Sequence, residues 1–351
     1  MSSSVEQFDS WLAFNAPAAL VIREHLTPID GPDGALFPPT FAPGDKFPGG
    51  YNIDPIDGEQ GSRNVCLIDS VGSQANRIEP IFAEAEYRHL VPQVIIRAGE
   101  KEINILDAGH RAGDALVRCS ELQETVQNAF YDVLRGNAEP LARIAPTSLV
   151  FGVWDSRDTQ AKLPRLVSST IRAFDVRKMT RGAVYIPPVD YSSLQVFSEA
   201  EKAKAEGQGK SPLAQRGFVH NPASAAHGGV IADGGVRRDA SLSLAALQSV
   251  KAGNDAERTL TLRRYILGLA LVAFTARPAT YLRQGCQLVR DTEKESRFEV
   301  VHGDGLRTPA DLSHQDALAF ASVAAASFGV GEDRTVEFNK KKATNDVKKK
   351  D

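Results

Sequence analysis

The feature that most constrains the fold is an apolar segment that runs without a break into a helical pattern, residues 66–82 (CLIDSVGSQANRIEPIF). Residues 65–69 (VCLID) are typical of a short buried strand. After them, four apolar side chains recur at the spacing of one helix face, Val71, Ala75, Ile78 and Phe82. Pro80 ends or kinks this helix, because proline lacks the N–H group that would continue it. The sequence therefore predicts a buried strand followed at once by a helix packed on the sheet.

The first turns of this helix carry five hydrogen-bonding side chains, Ser70, Ser73, Gln74, Asn76 and Arg77. Backbone N–H groups at a helix start attract anions, so this group of side chains can hold a phosphate. Ordinary helix capping explains the same residue types. Both interpretations stand on the sequence alone.

The rest of the chain mixes strand and helix patterns. Strands are predicted at residues 93–98, 102–106, 148–154, 171–176 and 182–188, and helices near residues 114–134, 255–276 and 313–328. The early order is strand, helix, strands, helix, strand, which is typical of an RNA-recognition-motif or ferredoxin-like sheet. The predicted fold class is α+β.

Composition favours a globular protein. The chain has 351 residues, of which 42% are hydrophobic, so it can bury a sizeable core. Its three cysteines, Cys66, Cys119 and Cys286, lie far apart without zinc-site spacing, so we expect reduced thiols in a cytoplasmic protein. The most apolar run, residues 265–276, is shorter than the roughly 20 residues of a bilayer span. We expect a buried helix there and no membrane anchor, and the N terminus lacks a secretion signal.

Three segments differ in composition from the predicted domain, residues 1–339. Residues 27–61 are rich in proline and glycine and are predicted to be an irregular insertion. Residues 187–240 hold a small polar segment and two glycine pairs, which indicates a second, protruding insertion with a hairpin. Residues 340–351 have nothing apolar to bury and are predicted to be a disordered basic tail.

Charge is distributed unevenly along the chain. The net charge is −3, yet residues 151–181 carry seven basic side chains against three acidic ones, and residues 340–351 carry six lysines against two aspartates. The remainder of the chain is strongly acidic. A basic stripe on an acidic body is compatible with a nucleic-acid track on one face.

Within the basic stripe, five cationic side chains alternate with serine, threonine and glutamine: Arg157, Lys162, Arg165, Arg172 and Arg181. This mixture can grip several phosphates and sugar hydroxyls without reading bases. The alternative is a charged sheet edge, on which lysine and arginine prevent aggregation. The sequence supports either interpretation.

Catalytic motifs are absent from the sequence or incomplete. Residues 207–211 (GQGKS) resemble a phosphate loop, but the motif needs glycine where Lys204 stands. Neither GxSxG nor HExxH occurs. Residues 106–115 (LDAGHRAGDA) place Asp107, His110 and Arg111 after a strand, where a metal or acid/base site can form. One histidine with two aspartates is a weak signal, and a structural role, with Asp114 starting a helix, is favoured.

Several long motifs together resemble one known family. They are CLIDSVGSQANRIEP, LDAGHRAGDA, FGVWDSRDTQAKLPRLVSSTIRAFDV, TRGAVYIPPVDY and LRRYILGLALVA, in order over about residues 50–330. They are similar to the RAMP-superfamily backbone subunit of type I-G (formerly I-U) CRISPR surveillance complexes, the Cascade complexes. The resemblance implies an RNA-recognition-motif palm with finger and thumb insertions. It also implies copies stacked head to tail along the spacer of a CRISPR guide RNA, which pairs with target DNA.

The resemblance also implies roles for individual residues and partners. Residues 70–77 and the stripe from Arg157 to Arg172, with Arg181, become expected guide-RNA contacts, and other Cascade subunits become expected partners. Backbone subunits of this kind are non-catalytic, so no catalytic residue, metal or cofactor is implied. The alternative is a metal-dependent endoribonuclease of the same superfamily that uses Asp69, Asp107 or His110.

Overall fold

An antiparallel β-sheet of nine strands lies at the centre of the protein. The computed structural model describes residues 4–57, 63–206, 208 and 210–348. The strands are β1 Ala19–Pro28, β2 Thr40–Phe41, β3 Gly50–Tyr51, β4 Ile53–Pro55, β5 Asn64–Asp69, β6 Val94–Ala98, β7 Lys101–Asn104, β8 Val153–Trp154, β9 Lys162–Leu163, β10 Val167–Phe174, β11 Val176–Tyr185, β12 Asn221–Ala232, β13 Val236–Ser243, β14 Tyr281–Arg283, β15 Cys286–Arg290, β16 Arg297–Val301, β17 Arg307–Pro309 and β18 Arg334–Glu337. The α-helices are α1 Val71–Ile78, α2 Ala115–Arg118, α3 Gln123–Leu134, α4 Glu139–Ala142, α5 Thr147–Phe151, α6 Glu199–Ala205, α7 Pro212–Gln215, α8 Leu244–Leu247, α9 Ala256–Thr275, α10 His314–Phe328 and α11 Lys340–Lys348.

The central sheet has the strand order β14-β15-β1-β13-β10-β5-β4, and β16 pairs with β1 and with β17. Every residue pair between β10 and β13 keeps one antiparallel register, from Val167 opposite Leu242 to Ala173 opposite Val236. Along β13, buried and half-buried residues alternate, as expected for a sheet with helices on one face only. Segregation of helices and antiparallel strands in this way is compatible with the predicted α+β class.

The main hydrophobic core lies between the sheet and helices α9 and α10. The apolar run 265–276 lies in α9, where most of its side chains are fully buried, as predicted. The Tyr265 hydroxyl donates a hydrogen bond of 2.8 Å to the Leu90 carbonyl, which satisfies its polar end. Of the helices in the described ranges, none is long and apolar enough to cross a membrane.

Most of the predicted elements form where expected. Strand β5 passes into α1 through the single residue Ser70, and Pro80 lies in the 3₁₀ turn Glu79–Ala83 that follows. Helix α10 begins with the capping box of Ser313 and Asp316. The prediction of one strand over residues 148–154 is wrong, because Thr147–Phe151 is a helix and only Val153–Trp154 is extended. All five residues of α5 are buried, and a short run that is apolar on every side has no periodicity to separate helix from strand.

A two-stranded antiparallel ribbon, β11 with β12, leaves the central sheet after β10. Its root is Asp175, a non-glycine residue with φ 49°. The Asn64 side chain holds the next residue: Val176 N donates to Asn64 Oδ1 at 2.8 Å, and Asn64 Nδ2 donates to the Val176 carbonyl at 3.1 Å. From Arg177 to Tyr185 every residue of β11 is exposed. The predicted insertion 187–240 therefore starts and ends later along the chain than the ribbon does. The ribbon spans residues 176–232, and Val236–Ser243 is a central strand of the sheet.

The proline- and glycine-rich segment 27–61, described here as far as residue 57, packs against the root of the ribbon. Leu36 pairs with Val230, and the Gly229 N–H donates to the Tyr51 hydroxyl at 3.0 Å. Gly229 has φ 94°, and a Cβ atom there would lie 2.7 Å from the Leu36 carbonyl oxygen. Only glycine fits this crossing without displacing backbone. The two insertions are therefore in direct contact.

The basic tail differs from its prediction. Residues 340–348 form helix α11 instead of a disordered segment, while residues 349–351 lie outside the described part of the chain. Asp346 accepts hydrogen bonds from Arg118 Nε and Nη2, and Lys342 Nζ donates to the Ser120 carbonyl at 3.3 Å. The helix is therefore held by an ion pair and a contact with backbone, not by burial of apolar side chains. The hydrophobicity of the sequence does not reveal contacts of this kind.

Helices α9 and α10 pack closely through Gly268, which gives a test of the core. A Cβ atom on Gly268 would lie 2.8 Å from Ala321 Cα. We expect Gly268→Val to lower the free energy of unfolding by about 2–3 kcal/mol, because α10 must move away. Urea unfolding measures it. Thr261→Val, on the half-buried side of the same helix, is the control and should change stability by less than about 0.5 kcal/mol. Equal losses in both variants would contradict this packing.

Candidate nucleic-acid interface

A buried carboxylate, Asp69 at the end of β5, organises the start of helix α1. Its oxygens accept hydrogen bonds from Gln74 Nε2 at 2.6 Å, Arg77 Nε at 3.1 Å and Arg283 Nη2 at 3.0 Å. Arg77 also donates to the Leu282 carbonyl at 2.8 Å. Three donors around one carboxylate stabilise its charge away from water. Gln74 and Arg77 thus face into the protein at this point.

The other polar side chains at the start of α1 cap the helix or are exposed, and Gln74 makes a second buried contact. Ser70 Oγ accepts from the Ser73 N–H at 3.2 Å and donates to Ser73 Oγ at 3.1 Å, which is a helix cap. Gln74 is buried and accepts a hydrogen bond of 2.9 Å from Ser169 Oγ in β10. Asn76 is exposed and lies beside Gly109 of the following loop. Of the five predicted contacts, Asn76 is the most accessible to a ligand.

The loop after β7 is joined to the end of α1 by a buried ion pair. Arg111 Nε lies 2.6 Å from Glu79 Oε2, and both side chains are almost fully buried. Burial raises the pKa of Glu79 to about 7, although the Arg111 charge and a hydrogen bond with Thr147 act in the opposite direction. Arg111 has φ 53°, an unfavourable conformation for a residue with a side chain. The loop is therefore fixed with its guanidinium beside α1.

The strands β8 and β9 form a hairpin that faces this loop across a cleft. Arg111, Lys162 and Arg165 line the cleft, which has a volume of about 530 Å³. Arg165 Nε donates to the Phe151 carbonyl at 2.8 Å. Burial, helped by the nearby Arg111 charge, lowers the pKa of Arg165. Gly152 has φ 77°, and a Cβ atom on it would lie 3.1 Å from Arg165 N, so a larger residue would push the hairpin away.

The hairpin turn is held by Asp155, which accepts hydrogen bonds from Thr159 N at 2.8 Å and Thr159 Oγ1 at 2.6 Å. Arg157 lies in this turn and is exposed, as is Lys162 in β9. The structure therefore brings Arg157, Lys162 and Arg165 of the predicted stripe onto one hairpin. The opposite wall of the cleft is formed by the motif LDAGHRAGDA, which the sequence analysis treated as a separate candidate site.

Arg172 and Arg181 do not join this group. Side chains alternate along β10, so Arg172 lies on the sheet face opposite Ile171 and Ala173, which are buried. On that open face Arg172 stands in register with Arg237 of β13. Arg181 lies on the exposed ribbon, 5.8 Å from the centre of the Phe37 ring. The stripe is continuous in sequence but occupies three surfaces in space.

The residues named for a nuclease site are either engaged by other side chains or exposed. Asp69 is engaged by two guanidinium groups, Asp107 is exposed, and His110 Nδ1 lies 3.5 Å from Asp114 Oδ2. Asp114 caps α2 through the Leu116 N–H, as its position after the loop predicted. Within the residues that the structure describes, no three metal-binding side chains of histidine, cysteine, aspartate or glutamate converge.

Sequence reasoning missed three residues of this interface. Arg283 reaches Asp69 from β14, far along the chain, and no local pattern marks it. Glu79, the buried partner of Arg111, was not singled out by any sequence pattern. Trp154, with 57% of its surface exposed, was assigned only to the end of the predicted strand 148–154. An isolated tryptophan among charged residues was the available signal for it.

Fold and site together define an α+β protein with a cationic cleft beside the first helix. Residues 20–178 match the model of the family described as CRISPR-associated protein GSU0053, which supports the resemblance to CRISPR-associated proteins that the motifs predicted. Three of the five motifs that carry the resemblance lie within the matched residues. No curated protein matches the chain. The type I-G subtype stays a prediction.

The Asp69 network gives a stability prediction. Asp69→Ala leaves two guanidinium groups and the Gln74 amide without their acceptor, so we expect a loss of about 3–5 kcal/mol in the free energy of unfolding. Asp54→Ala, on the exposed strand β4, removes a carboxylate that is not buried and should cost less than about 0.5 kcal/mol. Urea unfolding of both variants measures the difference. A similar small change in both would show that Asp69 does not organise α1.

Proposed function

We propose that this protein is a non-catalytic backbone subunit that binds the CRISPR guide RNA and presents it for pairing with target DNA. The observation that carries the proposal is the cationic cleft formed by Arg111, Lys162 and Arg165. Two motifs of the family resemblance, distant in sequence, build its two walls. A surface that grips phosphates without reading bases suits a subunit that must accept guides of any sequence.

The charge balance of the cleft supports an anionic ligand. Glu79 offsets the Arg111 charge, whereas no carboxylate of the described residues is found in the cleft lining beside Lys162 or Arg165. Arg157 adds a further positive charge at the hairpin turn. Clustered cations on an acidic protein attract a polyanion to one place on the surface.

The sheet topology supports an RNA-recognition-motif palm. Four strands lie in the order β16-β1-β13-β10, and the segment with α1 to α5 precedes β10 while α9 follows β13. This is the β-α-β-β-α-β arrangement of ferredoxin-like sheets, with β5 and β4 added at one edge. The ribbon of β11 and β12 connects β10 to β13, which are the second and third palm strands along the chain, and it is the candidate thumb. Residues 27–57 pack at its root and are the candidate finger.

A stack of copies follows from the same proposal. Ten residues of β11 extend roughly 33 Å, and most of their side chains are exposed. A heterologous contact that does not close on itself produces a helical filament, so a protruding ribbon that reaches the next copy can build one along the RNA. We expect the protein to copurify with guide RNA in the cytoplasm, in long assemblies with other Cascade subunits of a type I-G complex. RNA-free monomers from cells that express the CRISPR array would contradict the proposal.

The second candidate function is a metal-dependent endoribonuclease of the same superfamily. It requires Asp69, Asp107 or His110 to hold or activate a water, and the engagement of Asp69 by two guanidinium groups favours the non-catalytic proposal. We expect no cleavage when purified protein is incubated with guide precursor and magnesium, followed on a denaturing gel. Magnesium-dependent cleavage that is lost in Asp107→Ala or His110→Ala would establish the nuclease instead.

The cleft gives a binding prediction. In the double variant Arg157→Glu, Lys162→Glu, affinity should fall by a similar factor for RNA of any sequence, because phosphate contacts carry no sequence information. The slope of log affinity against log salt should become shallower by about 1 for each phosphate that the variant protein no longer binds. Filter binding or anisotropy at several salt concentrations measures both quantities.

A matched control is available on the small sheet β18-β6-β7, where Lys101 and Arg334 are exposed. Lys101→Glu with Arg334→Glu changes the net charge equally but leaves the hairpin intact. It should lower affinity only slightly and leave the salt slope unchanged. If both double variants bound RNA equally weakly, general charge and not the cleft would be responsible.

A further inference from the structure

The cleft between the loop and the hairpin combines cations with an exposed aromatic ring. Trp154 in β8 stands directly opposite Lys162 in β9, and the two side chains share one face of the hairpin. Lys162 Nζ lies 5.5 Å from the centre of the Trp154 ring. Large aromatic side chains are usually buried, so a tryptophan that is 57% exposed at the mouth of a cleft is available to stack on a ligand.

The floor of the cleft holds a guanidinium that is not fully satisfied. Arg111 Nη1 reaches the Gly152 carbonyl at 3.4 Å, and its carbon Cζ lies 5.2 Å from the centre of the Phe151 ring. Arg111 Nη2 is buried and makes no hydrogen bond to any residue the structure describes. A buried donor without a partner is costly, and an arginine held at φ 53° adds backbone strain. Both features are typical of a residue placed for a ligand.

The charges that surround the cleft select an anion. Arg111, Lys162 and Arg165 line it, together with His110. Carboxylates of the two walls are engaged by other groups: Glu79 pairs with Arg111, Asp114 caps α2, and Asp155 accepts hydrogen bonds from Thr159. A ligand that fits must therefore bring negative charge to the guanidinium groups and a flat apolar face to the indole ring.

We infer that this cleft holds one unstacked nucleotide of the bound RNA, with its base against Trp154 and its phosphate between Arg111 and Arg165. The inference rests on the proposed function, since it takes RNA to be the ligand, and it adds a base contact to an interface otherwise made of phosphate contacts. Inside a helix each base stacks on its neighbours. Only a nucleotide that has left the stack exposes a face to the indole. Because every base has such a face, the contact is independent of sequence.

The two tryptophans of the chain, Trp11 and Trp154, make the contact directly observable. In Trp11→Phe, Trp154 is the only tryptophan, and stacking of a base should quench its fluorescence. We would titrate this variant with a short single-stranded RNA, with an abasic ribose-phosphate strand of the same length, with a mononucleotide and with inorganic phosphate. We expect quenching by the RNA and none by the abasic strand or phosphate. Quenching by the mononucleotide at an affinity equal to that of the RNA would show that the cleft takes free nucleotides, and would overturn the RNA source.

A double-mutant cycle separates stacking from a structural role of Trp154. Trp154→Leu should weaken binding of the intact RNA about tenfold, the effect of one base stack, and leave binding of the abasic strand unchanged. Trp154→Phe keeps an aromatic face and should restore most of the affinity. Equal losses for intact and abasic strands would mean that the tryptophan supports the hairpin only, which overturns the inference.

The same titration separates failure of the nucleotide inference from failure of the proposed function. If RNA binds with the salt dependence of phosphate contacts but the emission of Trp154 stays constant, the nucleotide inference is wrong and guide binding stands. If neither RNA nor the abasic strand binds to the unsubstituted protein at low salt, both are wrong.

Discussion

The buried carboxylate of Asp69 is the interaction on which the arrangement of the interface depends. A charge removed from water is tolerated only when donors surround it, and these donors come from α1 and from β14, more than 200 residues apart in sequence. Strand β5, the first helix and the β14–β15 turn must therefore be in place together. Arg77 and Gln74, which the sequence offered as phosphate ligands, make these internal contacts, and Ser70 caps the helix.

A second buried ion pair, Glu79 with Arg111, fixes the other end of the same helix. Two such pairs, one at each end of α1, set the distance between the central sheet and the loop that forms one wall of the cleft. The raised pKa of Glu79 shows that burial outweighs the attraction of its partner. The charge of Arg111 adds to the effect of burial in lowering the pKa of Arg165. Repulsion between cations that the fold holds together is the physical basis for assigning an anion to this cleft.

Local patterns predicted the elements that have a clear period or cap. The length of β5, the 3.6-residue spacing of α1 and the capping box of α10 each depend on a few neighbouring residues, so they can be read from the sequence. Strand β10 was predicted only in part, as residues 171–176, whereas it spans Val167–Phe174. The α5 segment could not be predicted, because burial on all sides removes the periodicity. The ribbon begins at Asp175, whose backbone conformation is not visible in the sequence. Helix α11 is held by Arg118, which lies more than 200 residues earlier in the chain. Among the site residues, Arg157, Lys162 and Arg165 were found from composition, whereas Arg283 depends on a distant pairing.

Period-two alternation along a single strand explains why the basic stripe separates. The hairpin cations lie before β10 and line the cleft, Arg172 points away from α1 on the open face, and Arg181 has passed Asp175 onto the ribbon. One RNA strand on one copy cannot follow a straight path through all three surfaces. In the proposed stack, the exposed ribbon of one copy projects from its own sheet, so Arg181 is available to a strand held in the cleft of a neighbour. Division of the stripe would then place cations from two copies along one RNA, and this arrangement would link guide binding to assembly through the geometry of β10.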